Sequence, residues 1–161
     1  MITANVHLAS ARPGDLAAIM TLERTGFPEG ERWSERSWTG ELLGEGRTVI
    51  LARSHVPVGV ITVQTVGELA DLHRLVVVPA YRRHGIGSRL IVAALIAVRH
   101  LGARAVILEV EYSNDPAIGL YATMGFEQLT ARENYYGPGR HALIMKLYDL
   151  DTWSVPGTGT S

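Results

Sequence analysis

The stretch VVVPAYRRHGIGSRLI (76–91) runs from an apolar segment through Pro79, two arginines and two spaced glycines straight into a second apolar segment. Upstream, ADLHRLVVV (70–78) is rich in β-branched residues and reads as a strand whose ladder Pro79 stops. Downstream, Ile86, Leu90, Ile91, Ala94, Leu95, Val98 and Leu101 recur at helical intervals, with Gly102 placed to end the helix. A strand, a glycine loop and a helix in that order set free backbone N–H groups at a helix N-terminus, which is an anion site that suits a pyrophosphate. Glycines allow close backbone approach, and the arginines can meet phosphates. The same glycines also serve in ordinary loop-to-helix joints, and the pattern alone does not separate the two readings. A Walker loop requires GK[ST], and a dinucleotide fingerprint requires a third glycine after an early central strand; neither is present.

Outward from this stretch, DLAAIMTLERTGF (15–27) predicts a surface helix with Leu16, Ile19, Met20 and Phe27 on one face. WSERSWTGELLGEG (33–46) predicts a short helix capped by Ser34 and ended by Gly44 or Gly46. RTVILARS (47–54) and VGVITVQTV (58–66) form a hairpin through His55, Val56 and Pro57. AVILEVEY (105–112) is a further strand, and NDPAIGLYATMGF (114–126) holds a helix with Pro116 near its first turn and Gly125 closing it. Runs at 127–135 and 141–148 read as the last strands. DTWSVPGTGTS (151–161) is too rich in Gly, Thr and Ser to pack and is expected to be a disordered tail behind a single domain, 1–150. This order of elements implies an α/β fold, a mixed sheet with helices on its faces.

Composition narrows the function classes. The 161 residues are 47% hydrophobic, enough for one packed core, and the formal net charge of −1 gives no global positive field for nucleic acid. Cysteine is absent, which excludes disulfides, thiolate nucleophiles and cysteine-held zinc. The six histidines (7, 55, 73, 84, 100, 141) lack HxH or HxxxH spacing, so no metal is expected. The N-terminus has no basic flank before an apolar core, and no apolar run reaches the roughly 18 residues of a membrane span. The expectation is a soluble cytoplasmic protein, a monomer or weak homodimer, without nucleic-acid or membrane partners.

The glycine stretch resembles motif A of the GNAT superfamily of acyl-CoA-dependent N-acetyltransferases, with Arg82, Gly85 and Gly87 at the positions of its [QR]xxGx[GA] signature. LEVEYSNDPAIGLYATMGF (108–126) resembles the LEVRxSNxxAIxLYxxxGF segment of the bacterial ribosomal-protein-alanine N-acetyltransferases (the RimI type), in register with motif A. ARENYYGPGRHALIMKL (131–147) is similar to their RRNYY…DAIIM region with a shorter connection, and LERTGFPEGERW (22–33) loosely resembles an E…FPWS segment. The similarity covers about 71–147 and is looser before it.

That resemblance implies a GNAT fold, in which two neighbouring parallel strands, here 71–78 and 105–111, splay apart to admit acetyl-CoA. It implies direct acetyl transfer to a primary amine, with the backbone of Leu75, Val76 and Val77 beside the pantetheine arm and the Val77 N–H on the thioester carbonyl. Arg82, Arg83, His84, Gly85, Ile86, Gly87 and Ser88 would cradle the pyrophosphate, and Asn114 would bond the pantetheine arm.

Glu109 is the candidate general base. The strand period of two puts Ile107, Glu109 and Glu111 on one face and Val106, Leu108 and Val110 on the other. A carboxylate in mid-strand is costly to bury unless paired or used; the pattern alone equally allows a solvated sheet margin. Tyr121, at the family's LY position, is the candidate general acid, since a phenol with a pKa of about 10 stays protonated at neutral pH. Periodicity alone also fits a core tyrosine there, and an N-cap role for Asn114.

Glu111, Tyr135 and Tyr136 are the candidate acceptor-binding residues. Glu111 stands where the family usually has arginine, and Arg140-His141 replace its acidic pair. The expected acceptor is a protein or peptide N-terminus, a ribosomal protein among them. The alternatives are a small amine (polyamine, amino sugar, amino-acid derivative) or a non-catalytic acetyl-CoA-binding module.

Overall fold

Seven strands form one sheet in the order β1-β2-β3-β4-β5-β7-β6 in the computed structural model, which describes residues 5–157. The strands are β1 (His7–Ser10), β2 (Arg47–Arg53), β3 (Pro57–Val66), β4 (Leu69–Val77), β5 (Ala105–Glu111), β6 (Glu127–Gly137) and β7 (Arg140–Leu147). The helices are α1 (Leu16–Gly26), α2 (Glu35–Leu43), α3 (Ile86–His100) and α4 (Asp115–Thr123). Every strand pair is antiparallel except β4 with β5. No helix among the described residues is long and apolar enough to cross a membrane.

The sheet sorts the apolar residues into two clusters. On one face Ile86, Leu90, Ile91, Ala94, Leu95 and Val98 of α3 pack against β2, β3 and β4, in one cluster with Tyr121 of α4. On the other, Ile19 and Leu22 of α1 and Trp38 of α2 pack on Val49, Leu51, Val60 and Val76. Burial of each valine, leucine or isoleucine among them contributes roughly 1.5–3 kcal/mol. The predicted helix boundaries hold: Ser34 Oγ accepts from the Ser37 N–H (3.1 Å) at the start of α2, and Gly102 and Gly125 sit at φ 101° and 103° after α3 and α4. At Gly26 the constraint is space, because a Cβ there would lie 2.5 Å from Val76 Cγ1. Gly26→Ala is therefore expected to destabilise by about 1–3 kcal/mol, read as a lowered urea midpoint with an unchanged m-value.

Two expectations need correction. Strand β1 went unpredicted, because HLAS is short and mostly exposed, with no alternation to detect; it forms by pairing with β2. In the tail, residues 150–152 form a 3-10 turn and Trp153 docks, its indole donating to the Met124 carbonyl (2.8 Å) while Arg99 donates to the Trp153 carbonyl (2.8 Å). One large aromatic with a satisfied N–H outweighs the polar composition around it. Residues 158–161 lie outside the described residues.

The feature that builds the site is a fork. Parallel pairing of β4 with β5 runs from Leu69–Ala105 to Leu72–Leu108 and ends there, while β4 continues to Val77 and β5 to Glu111. The far edge of β5 stays paired with β7 through Glu111–Ala142, so the parting lies between β4 and β5, where the resemblance implied it. Against β3, Val63 faces Leu72 but Thr62 faces Arg74, leaving His73 as the extra residue of a β-bulge. Such bulges end pairing and re-aim side chains. Here His73 and Arg74, though consecutive, both point to the α1–α2 face, His73 to Glu41 and Arg74 to Glu23.

Candidate functional site

The backbone of β4 decides which amides the fork exposes. The Val78 N–H donates to the Val58 carbonyl (3.0 Å), so by alternation Val76, opposite Val60, also turns its amide to β3. Leu75 and Val77 then turn theirs into the fork, and Val76 does not share their orientation. The Val77 carbonyl on that edge is taken by Arg82 Nε (2.9 Å), whose Nη2 also donates to the Gly26 carbonyl (3.0 Å). The Arg82 side chain thus ties the turn to α1 rather than reaching towards an anion.

Beyond it, Arg83 (φ 65°) and Gly85 (φ 78°) take left-handed conformations that curl the chain into the N-terminus of α3. The first intrahelical bond runs from the Arg89 N–H to the Gly85 carbonyl (3.0 Å), so the Ile86, Gly87 and Ser88 amides precede the ladder and are free for an anion. Arg83 and His84 are exposed beside them, whereas the Ile86 side chain is buried in the core and offers only its backbone. Gly87 brings α3 against α4, a Cβ there lying 3.1 Å from Leu120 Cδ2.

Two clefts meet at the fork. One, of about 640 Å³, lies under α2 and is lined by Trp33, Arg36, Asp71, His73, Glu109 and Tyr135. The other, of about 380 Å³, runs past Leu75, Asn114, Tyr121, Glu111 and Arg140. His73, Glu109 and Tyr136 line both. Glu109, a third exposed, has Arg132 Nη1 at 3.5 Å and interacts with the Tyr135 hydroxyl, whose pKa that carboxylate raises. Burial together with the charge of Glu109 pushes Tyr136 up to about 12. Tyr135 and Tyr136 stack edge to face with centroids 5.1 Å apart.

Tyr121 is buried, edge-on to Phe126, and burial raises its pKa above the ordinary phenol range, so it stays protonated at neutral pH. Asn114 Oδ1 accepts the Ala117 N–H (3.3 Å) as the N-cap of α4, on the wall of the second cleft.

The two departures from the family pattern contact each other. Arg140 pairs with Glu111 and, at 3.0 Å, with Glu31. Arg140 holds the Glu111 carboxyl below the usual range, helped by Ser113 Oγ at 3.1 Å. Glu111 is therefore already partnered, and Arg140, held between Glu111 and Glu31, adds no uncompensated cation.

The anchors on the other wall were missed from sequence. Fully buried Glu23 accepts from the Trp33 N–H (3.0 Å), Trp38 Nε1 (3.0 Å), and Arg74 Nε and Nη2 (2.9 and 2.8 Å), while Arg74 lies 3.7 Å from the Phe27 ring centroid. Buried Glu41 accepts from Thr62 Oγ1 (2.7 Å) and His73 Nδ1 (2.9 Å), with Arg47 Nε at 3.3 Å. A signal existed: Glu23 continues the apolar face 16, 19, 20, 27, and Glu41 lies three residues after Trp38. Each puts a charge where helical spacing demands an apolar residue.

Residues 15–126 match the acetyltransferase (GNAT) family model. The chain is 31% identical over 145 residues to the ribosomal protein bS18-alanine N-acetyltransferase of Escherichia coli, covering 87% of this chain and 95% of that protein. Some other relatives are longer than the shared stretch; the chain spans 40% of an uncharacterized protein of Mycobacterium leprae, at 30% identity over 147 residues. Among solved structures, the ribosomal-protein-S18-alanine N-acetyltransferase from Escherichia coli superposes with a TM-score of 0.82 at 27% identity, over 97% of this chain and 99% of that one. Arabidopsis thaliana NAA60 in complex with acetyl-CoA shares the fold, with a TM-score of 0.79 at 22% identity over 89% of this chain and 98% of that one. The chain belongs to the acetyltransferase (GNAT) family.

Proposed function

We propose that the chain transfers an acetyl group from acetyl-CoA directly to the α-amine of a peptide or protein N-terminus, with ribosomal-protein alanine as the model acceptor. The observation that carries this reading is the position of Glu109, on the lip of a fork where a cleft running past Leu75, Asn114 and Tyr121 meets a cleft walled by Arg36, Asp71 and Tyr135. The relatives named for ribosomal-protein alanine acetylation support the acceptor class, and a structural neighbour solved with acetyl-CoA supports the donor.

Each chemical requirement has a group to meet it. The Val77 amide, turned into the fork, polarises the thioester carbonyl. Amides 86–88 and Arg83 receive the pyrophosphate. Glu109 removes a proton from the amine, and Tyr121 protonates the departing thiolate. An α-amine with pKa about 8 is roughly one-tenth neutral at pH 7, against less than one part in a thousand for a lysine near 10.4, so a single carboxylate suits the former.

Thiol release from acetyl-CoA, measured with peptides of varied N-termini, polyamines and amino sugars, tests the acceptor. Turnover is expected on alanine-start peptides, with the acetyl group found on the α-amine by mass spectrometry. Acetyl only on lysine side chains, or turnover confined to small amines, would overturn it. Tyr121→Phe keeps the packed ring and loses the proton; kcat is expected to fall about 10²-fold with the melting temperature within about 2 °C of the parent.

A further inference from the structure

An ammonium that becomes an amide loses two protons from nitrogen. One leaves before the lone pair can attack the carbonyl carbon; the other leaves after the C–N bond forms, as the C–S bond breaks. In the reading above Tyr121 supplies the thiolate proton, and Glu109, a single carboxylate, accepts one proton in a turnover. A second acceptor on the same cleft lets the ammonium, about nine-tenths of the α-amine at pH 7, react without first losing its proton to solvent; Tyr121 is then reprotonated and one net proton reaches solvent.

His73 occupies that place. The bulge turns it to the acceptor face, where it lines both clefts with Glu109. Its Nδ1 donates to Glu41 (2.9 Å), which Thr62 and Arg47 hold in place, so the tautomer is set and Nε2 is the nitrogen left for chemistry. Nε2 stands 3.8 Å from Asp71 Oδ2. Across the fork lie Glu109, Tyr135 and Tyr136; Arg36 is on the α2 wall, and neighbouring Arg74 is committed to Glu23.

We propose that His73, oriented by Glu41, takes the first proton from the bound ammonium onto Nε2, directly or across one water, so that the amine Glu109 meets is already neutral. The inference rests on the acetyl-transfer reading. The hydrogen bond to Glu41 raises the imidazole above its ordinary value, with Asp71 adding to the rise and burial and Arg47 opposing it. This narrows the gap to an α-amine near 8 and makes the transfer less uphill.

The sign follows. Nε2 must be unprotonated to act, so the rate is lost as pH falls through the raised imidazole pKa. Above the amine's own pKa the acceptor arrives neutral and His73 is not needed.

The test is kcat/KM for an alanine-start peptide between pH 6 and 9.5, for the parent and His73→Gln. The variant is expected to lose about tenfold at pH 7, the inverse of the neutral amine fraction there, and to converge to within about twofold above pH 9. An equal loss at every pH, or none at pH 7, overturns the proposal. No turnover by the parent protein would instead defeat the parent reading. A second readout is independent of activity: the His73 Cε1–H resonance, assigned by its disappearance in His73→Gln, should titrate above the ordinary histidine range and move down in Glu41→Gln. An unchanged titration in that variant removes the dyad.

Discussion

Glu109→Gln is expected to lower kcat by about 10²–10⁴-fold while leaving the melting temperature and CoA binding unaltered, a change read by thiol release beside a thermal melt and a CoA titration. The separation of the effects follows from where Glu109 sits. Its backbone is held in the β5–β7 ladder opposite Ile144, which glutamine preserves. Its side chain is a third exposed, and its ion partner is an exposed Arg132 at 3.5 Å, a contact of the class that contributes about 0–1 kcal/mol. Its charge meets exposed groups, Arg132 and the Tyr135 hydroxyl, and the buried core does not rest on it. The chemistry does, because an amide nitrogen and oxygen at the same place cannot take a proton at neutral pH. A loss of similar size in both kcat and stability would instead make Glu109 a structural residue.

Glu23→Ala is expected to lower the unfolding free energy by about 3–5 kcal/mol, because it leaves the Arg74 guanidinium and the Trp38 indole N–H buried without their acceptor. At this chain length that corresponds to a drop in melting temperature of about 6–20 °C. The same carboxylate holds the Trp33 N–H, and Arg74 also reaches the Glu31 carbonyl (2.8 Å), so Glu23 fixes the segment between α1 and α2 that walls the acceptor cleft. In protein that remains folded at low temperature, KM for a peptide should rise more than KM for acetyl-CoA. A stability loss below about 1 kcal/mol would show that the cluster is not holding the wall.

Much of the fold around the glycine loop was legible in the sequence, because local rules set it. The Pro79 stop, the glycine turn and the helical spacing of 86–101 each act within a few residues, and the period of two on β5 correctly separated Glu109 and Glu111 from the buried valines. Non-local effects were not legible. Strand β1 exists only because β2 offers an edge. Nothing short of the pairing with β3 shows that His73 is a bulge residue, although two polar residues in succession in DLHRLV break the alternation and hint at it. The pairing of Glu111 with Arg140 needs β5 and β7 to be neighbours; read singly, each residue is only a departure from the family pattern, and together they neutralise one another. Arg82 matches the signature position, yet its side chain turns to Val77 and Gly26, a role that appears only once α1 is packed against β4.

The central claim is that donor and acceptor approach from opposite ends of the fork and meet at Glu109. Affinity for a conjugate in which the α-nitrogen of an alanine-start peptide is joined to the sulfur of CoA through an acetyl linker tests it most directly. The account predicts binding at least about 100-fold tighter than CoA or the peptide alone, since one molecule fills both clefts and the second binding event becomes intramolecular. Binding no tighter than that of CoA alone would contradict it.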